Sequence, residues 1–135
     1  MAQPRANRVA KTDAEWRMIL SPDQFAVLRQ AATERPFSNP LNNEHRQGTF
    51  FCAGCQWPLY SSKDKFDSGT GWPSFTRPIN ARAVTYQRDT SLMMVRTAVS
   101  CWSCGGHLGH VFDDGPPPTG KRFCMNGTAM IFHPG

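Results

Sequence analysis

The 135-residue sequence contains no apolar run near the ~20 residues that a membrane-spanning helix needs. Its start carries Arg5, Arg8 and Lys11, but no apolar core follows them. That argues against a secretory signal and for a cytoplasmic protein with no membrane partner. No internal repeat is present, and no low-complexity tract apart from Pro116-Pro117-Pro118. No basic stripe continues past residue 11, where twelve basic residues meet ten acidic ones despite the overall charge of +5. A nucleic-acid partner is therefore not expected. An even cysteine count is lacking as well. Five cysteines without an export signal argue against a disulfide framework and for a metal site plus one thiol.

What remains is an ordinary globular composition, 39% apolar and 19% charged, of a length suited to one domain. Residues 1–12 read as a disordered basic arm and residues 13–135 as the domain. Asp13, Glu15, Trp16, Ile19 and Leu20 suit a short helix. Ser21-Pro22-Asp23-Gln24 combines a capping serine, a first-turn proline and acid, and a glutamine at the capping-box position. Phe25, Leu28, Ala31 and Ala32 continue that helix at three-to-four spacing, and it should end before Pro36. After a polar connector over 36–48, short β-like runs alternate with Gly, Pro and Ser. Strands are expected at 49–52, 59–61, 84–88, 92–100, 111–112, 122–125 and 129–132. This pattern predicts a mainly β fold, a sandwich or barrel of two antiparallel sheets with short N-terminal helices.

Two C-x-x-C knuckles, Cys52/Cys55 and Cys101/Cys104, are separated by 45 residues. Two such pairs supply the closed four-thiolate site of a structural zinc ion, with iron as the alternative metal. With no open ligand position, this ion should pin the fold rather than catalyse. The fifth cysteine, Cys124, alternates with Arg122 and Asn126 along a strand, so the three share a face. An apolar core cysteine rarely keeps such company, and a nearby guanidinium favours the reactive thiolate. His107 and His110 offer imidazoles that exchange protons near neutral pH, in a stretch that also carries Asp113 and Asp114. Trp72, in Gly71-Trp72-Pro73-Ser74-Phe75, reads either as a core residue of a turn or as an apolar wall for a substrate.

Taken together, G-W-P-S-F at 71–75, H-L-G-H-V-F-D-D-G-P at 107–116, P-T-G-K-R-F-C-M-N at 118–126 and the two knuckles resemble the methionine sulfoxide reductase B family. The E-W-R and E-R-P-F segments near the N-terminus fit as well, so the resemblance spans roughly residues 13–133. It implies a zinc-pinned β-sandwich that reduces the R epimer of methionine S-oxide in proteins. It implies Cys124 as nucleophile, Trp72 and Phe112 against the substrate, and His107, His110, Asp114, Arg122 and Asn126 around the site. Attack on the sulfoxide sulfur would leave Cys124 as a sulfenic acid, with His110 as the main proton donor. Three positions depart from the family pattern. Thr70 stands where many members have a resolving cysteine, Ala98 where Glu is common, and Gly127 where Ser is common. Without a resolving cysteine, the oxidised Cys124 should be reduced by an external thiol, namely thioredoxin, glutaredoxin or a small thiol. The protein is expected to act as a monomer. The competing readings are a non-enzymatic binding module on the same zinc-pinned scaffold and a zinc-ribbon nucleic-acid binder.

Overall fold

The computed structural model describes residues 8–135, apart from the side chain of Leu92. Of the arm expected over residues 1–12, residues 1–7 lie outside the described residues. From Arg8 the chain is anchored: the Val9 amide donates to the Ser103 carbonyl at 2.9 Å, and the Arg8 guanidinium lies 3.8 Å over the Trp102 ring.

Two helices come first. Helix α1 (Asp13–Ile19) is capped by Thr12, and helix α2 (Pro22–Gln30) by Ser21. Both caps are full capping boxes, with Glu15 and Gln24 reaching back to the cap amides. Helix α2 stops at Ala31, whose left-handed backbone (φ 56°) ends it well before Pro36. Trp16, Phe25, Val27 and Leu28 are buried and dock the pair on the body.

Nine strands follow: β1 (Gly48–Cys52), β2 (Pro58–Ser61), β3 (Lys65–Phe66), β4 (Ser74–Phe75), β5 (Val84–Asp89), β6 (Arg96–Cys101), β7 (His107–Phe112), β8 (Arg122–Met125) and β9 (Met130–Pro134). They form a three-stranded sheet, β2-β1-β9, and a six-stranded sheet, β3-β4-β8-β7-β6-β5. Every pairing is antiparallel. The two-sheet expectation therefore holds. The core is aromatic where the sheets meet. Phe50 of β1 packs edge-on against Phe75 of β4 with centroids 5.0 Å apart, and Tyr60 of β2 stacks on Phe75 at 4.3 Å. The buried Tyr60 hydroxyl donates to the Met125 sulfur at 3.2 Å.

Two strand expectations are corrected, and two short strands were not expected at all. The run expected over 92–100 starts late, at Arg96, because residues 91–93 turn as a 3-10 helix. Strand β7 begins at His107 rather than Val111, so both histidines lie on a strand. Strands β3 and β4 have two residues each, too short for any periodicity to show.

Candidate active site and metal centre

Cys52 closes β1 and Cys55 lies in the turn into β2; Cys101 closes β6 and Cys104 lies in the turn into β7. The knuckles therefore sit on hairpins of different sheets. All four sulfurs lie within 4.8 Å of one another, with Cys52–Cys104 at 3.7 Å and Cys55–Cys101 at 3.5 Å. The Gly54 and Gly106 amides point at the Cys52 and Cys104 sulfurs at 3.4 Å, favouring thiolates. This span and this all-sulfur donor set fit one zinc ion with bonds of ~2.3 Å. Trp16 and Leu28 cover Gly54, and Arg29 donates to the Cys104 carbonyl at 3.0 Å, so α2 braces the site.

Cys124 lies elsewhere in the larger sheet. On β8 it pairs across to Ser74 of β4 on one side and His110 of β7 on the other. Its strand neighbours Phe123 and Met125 are buried while Arg122 and Cys124 are half-buried, so the expected alternation holds over 122–125 and stops at the buried Asn126. A cavity of about 90 Å³ opens beside the sulfur, lined by Trp72, Phe112, His110, Asn126, Thr33, Arg96 and Gly109. That is the room of about three waters. Gly109 is required there, because a Cβ would come within 2.1 Å of the Cys124 carbonyl oxygen.

Burial pushes the Cys124 thiol up, and this outweighs the opposing pull of Thr70, Arg122 and Ser74. The thiolate expected from the Arg122 neighbour is thus not the resting form. The Thr70 hydroxyl lies 3.8 Å from the Cys124 sulfur and belongs to a chain of hydroxyls, with Ser68 2.8 Å from Thr70 and 2.7 Å from Ser74. Arg122 is clamped by Asp114 through two bonds of 2.9 and 3.1 Å, and its guanidinium backs the Phe112 ring at 4.4 Å. Neither Arg122 nor Asp114 lines the cavity. Asn126 is buried just past the end of β8. Its side-chain amide donates to the Leu108 carbonyl at 3.0 Å, and its side-chain oxygen accepts from the Glu34 amide at 2.9 Å.

A larger groove of about 740 Å³ adjoins this cavity and shares Thr33, Arg96 and His110 with it. Both histidines line it, their rings 5.4 Å apart. Residues three apart on a regular strand face opposite sides. Here the pairing of β6 with β7 slips between Val99 and Ser100, so Ser100 faces His107 while Val99 faces Gly109. The extra residue, Leu108, turns its own side chain into the core and puts both imidazoles on one face. His107 is pushed down to about 4, first by burial and then by the nearby His110, so it is neutral at pH 7. His110 bonds Asp89 through Nε2 at 2.8 Å.

A family model described as the SelR domain matches residues 20–134. The chain belongs to the SelR domain family. It is 51% identical over 134 residues to the peptide methionine sulfoxide reductase MsrB of Agrobacterium fabrum, covering 99% of each chain. It is 54% identical over 124 residues to the MsrB of Thiobacillus denitrificans, covering 92% of this chain and 94% of the relative. To the MsrB of Bradyrhizobium diazoefficiens it is 54% identical over 128 residues, 95% and 92% respectively. In this SelR domain, Cys52, Cys55, Cys101 and Cys104 form a structural zinc site.

The SelR domain brings Trp72, His110, Phe112, Cys124 and Asn126 to one cavity, with His107 in the adjoining groove and the Arg122–Asp114 pair behind Phe112. Trp72 is held at the cavity by its ring N–H, which donates to the Glu34 carbonyl at 3.0 Å. Sequence reasoning missed Thr33, Glu34, Asp89 and Arg96. The Glu34 carboxylate accepts from the Gly127 and Thr128 amides and so fixes the turn after Cys124. Gly127 is explained by the same turn: a Cβ there would come within 2.4 Å of the Asn39 side chain. Asp89 and Arg96 are directly paired across the β5–β6 hairpin. An acid and a base at either end of one tight hairpin were the signal that could have revealed them.

Proposed function

We propose that this SelR domain reduces methionine (R)-S-oxide in proteins back to methionine, with Cys124 as nucleophile. Family membership and 51–54% identity to peptide methionine sulfoxide reductases support the activity. The observation that carries the residue assignment is the Cys124 cavity, lined by two aromatic rings and an imidazole.

A sulfoxide is a poor electrophile until its oxygen gains a proton. Trp72 and Phe112 hold the methyl end of the substrate by apolar contact. The buried Cys124 thiol must lose its proton as its sulfur bonds the sulfoxide sulfur. His110 takes that proton and delivers it to the sulfoxide oxygen, directly or through water. The hydroxyl then passes from the substrate sulfur to the Cys124 sulfur: its old S–O bond and the temporary S–S bond break, methionine leaves with its sulfur reduced by two electrons, and Cys124 becomes a sulfenic acid. Thiol plus sulfoxide thus becomes sulfenic acid plus thioether, with every atom retained. His107 supports His110 as a neutral neighbour. Arg122, steadied by Asp114, eases the thiolate, and Asn126 fixes the backbone that follows Cys124. Zinc, held by Cys52, Cys55, Cys101 and Cys104, supplies a cross-link between the hairpins.

The group at position 70, 3.8 Å from the Cys124 sulfur, is a hydroxyl and not a thiol, and the other four cysteines belong to the metal site. An external thiol (thioredoxin, glutaredoxin or a small thiol) therefore attacks the sulfenic sulfur and releases water. A second thiol then frees Cys124 from the mixed disulfide. Five unpaired cysteines suit a reducing, cytoplasmic setting. The catalytic unit proposed is residues 13–135, acting as a monomer. Turnover of the separate R and S sulfoxide epimers with dithiothreitol tests the reading. Activity on R alone is expected, lost in Cys124→Ser with zinc and fold retained. Activity on S alone, or on neither, overturns it.

A further inference from the structure

We propose that Asp89 positions His110 and fixes which of its ring nitrogens exchanges the proton. The inference rests on the assignment of His110 as the proton carrier. Ala98 of β6 is the direct cross-strand neighbour of His110, and Gln87 of β5 lies beyond it. A small residue at 98 puts no side chain in the path of the imidazole, which reaches past the neighbouring strand to Asp89 on β5. There His110 Nε2 meets Asp89 Oδ2 at 2.8 Å, both side chains being part-buried.

The carboxylate is itself held. Its Oδ1 accepts from the Ser91 amide at 2.9 Å, and the Arg96 guanidinium lies 3.4 Å from its Oδ2. The His110 and Ser91 contacts keep Asp89 ionised well below the usual carboxylate range. An ionised carboxylate only accepts hydrogen bonds. Nε2 of His110 must therefore carry the proton, and Nδ1 is the ring nitrogen left to take the Cys124 proton and pass it on. Asp89 does not line the Cys124 cavity; it acts through His110, much as a carboxylate orients the histidine of a hydrolytic triad. Position 89 takes this role because β5 is the edge strand of the larger sheet, and its last residue reaches the rim of the groove.

The test compares Asp89→Ala and Asp89→Asn with His110→Gln and the His110→Gln/Asp89→Ala double variant. The assay uses a methionine (R)-S-oxide peptide with dithiothreitol, and nitrogen-15 NMR reads the His110 tautomer. Asp89→Asn keeps the size of the side chain should Asp89→Ala fail to fold. Expected are a kcat lower by about 10–100-fold, a KM within about twofold, and a His110 proton found on Nε2 in the native protein but shared between both nitrogens in Asp89→Ala. Adding Asp89→Ala to His110→Gln should change kcat no further, and Ala98→Glu should restore part of the Asp89→Ala loss by offering a carboxylate from the adjacent strand. A kcat within twofold of the native value, an unchanged tautomer, or an additive loss in the double variant overturns the proposal. Full activity in His110→Gln overturns instead the assignment of His110 on which it rests.

Discussion

Cys124 shows how one residue's environment sets its chemistry. Its strand face, with Arg122, favours a thiolate, yet burial between β4 and β7 wins and the resting sulfur is a thiol. Activation is thereby tied to the substrate and to a proton carrier. Thr70 lies at 3.8 Å, so Thr70→Cys should give a resolving thiol; mass spectrometry of sulfoxide-treated variant should find a 70–124 disulfide that the native protein lacks. Trp72→Ala should raise KM by tenfold or more, since it removes one apolar wall of a small cavity. His107 gives a pH prediction. The unfolded chain binds a proton there near 6.5 but the native state only at about 4. Across that window the unfolded state holds more protons, so stability falls as pH drops. Between pH 7 and 4.5 the native protein should lose about 2 kcal/mol more than His107→Gln in urea titrations.

At the scale of elements, the slipped register between β6 and β7 matters most. The H-x-x-H spacing on a strand would send the two imidazoles to opposite faces, and the bulge at Leu108 reunites them in the groove that adjoins the Cys124 cavity. The close approach of β7 to β8 is what allows His110 to pair with Cys124, and Gly109 is its hinge point. Gly109→Ala should cost about 3 kcal/mol by overpacking and should lower kcat, since the intruding methyl meets the Cys124 carbonyl itself. Thermal unfolding and steady-state assays measure both effects. The helices were the most legible elements, because their signals are local. Ser21 caps where the sequence places it, and the Arg122–Met125 strand agrees to the residue. Strands β3 and β4 were invisible, since two residues have no period and their pairing partners lie far off in sequence.

For the whole molecule, the zinc site is the tie between sheets. Cys52 ends a strand of the smaller sheet and Cys101 a strand of the larger one, and α2 closes over both knuckles. A strong chelator, or Cys101→Ser, should therefore lower Tm by well over ten degrees and remove turnover by unfolding, although the metal takes no part in the reaction. Differential scanning calorimetry with and without added zinc checks this, and sulfoxide turnover should be regained only with the fold.

The sequence by itself determined the four metal thiols, the one cysteine left outside that set, the capped second helix and the two-sheet β class. Those depend on residue type and on short spacings, which the chain carries without folding. Only the tertiary structure decided that Asp89, Arg96 and Thr33 join the site, that His107 and His110 share a face, and that Cys124 rests protonated. Each of these depends on contacts between segments remote in the chain, and on how completely those contacts exclude water.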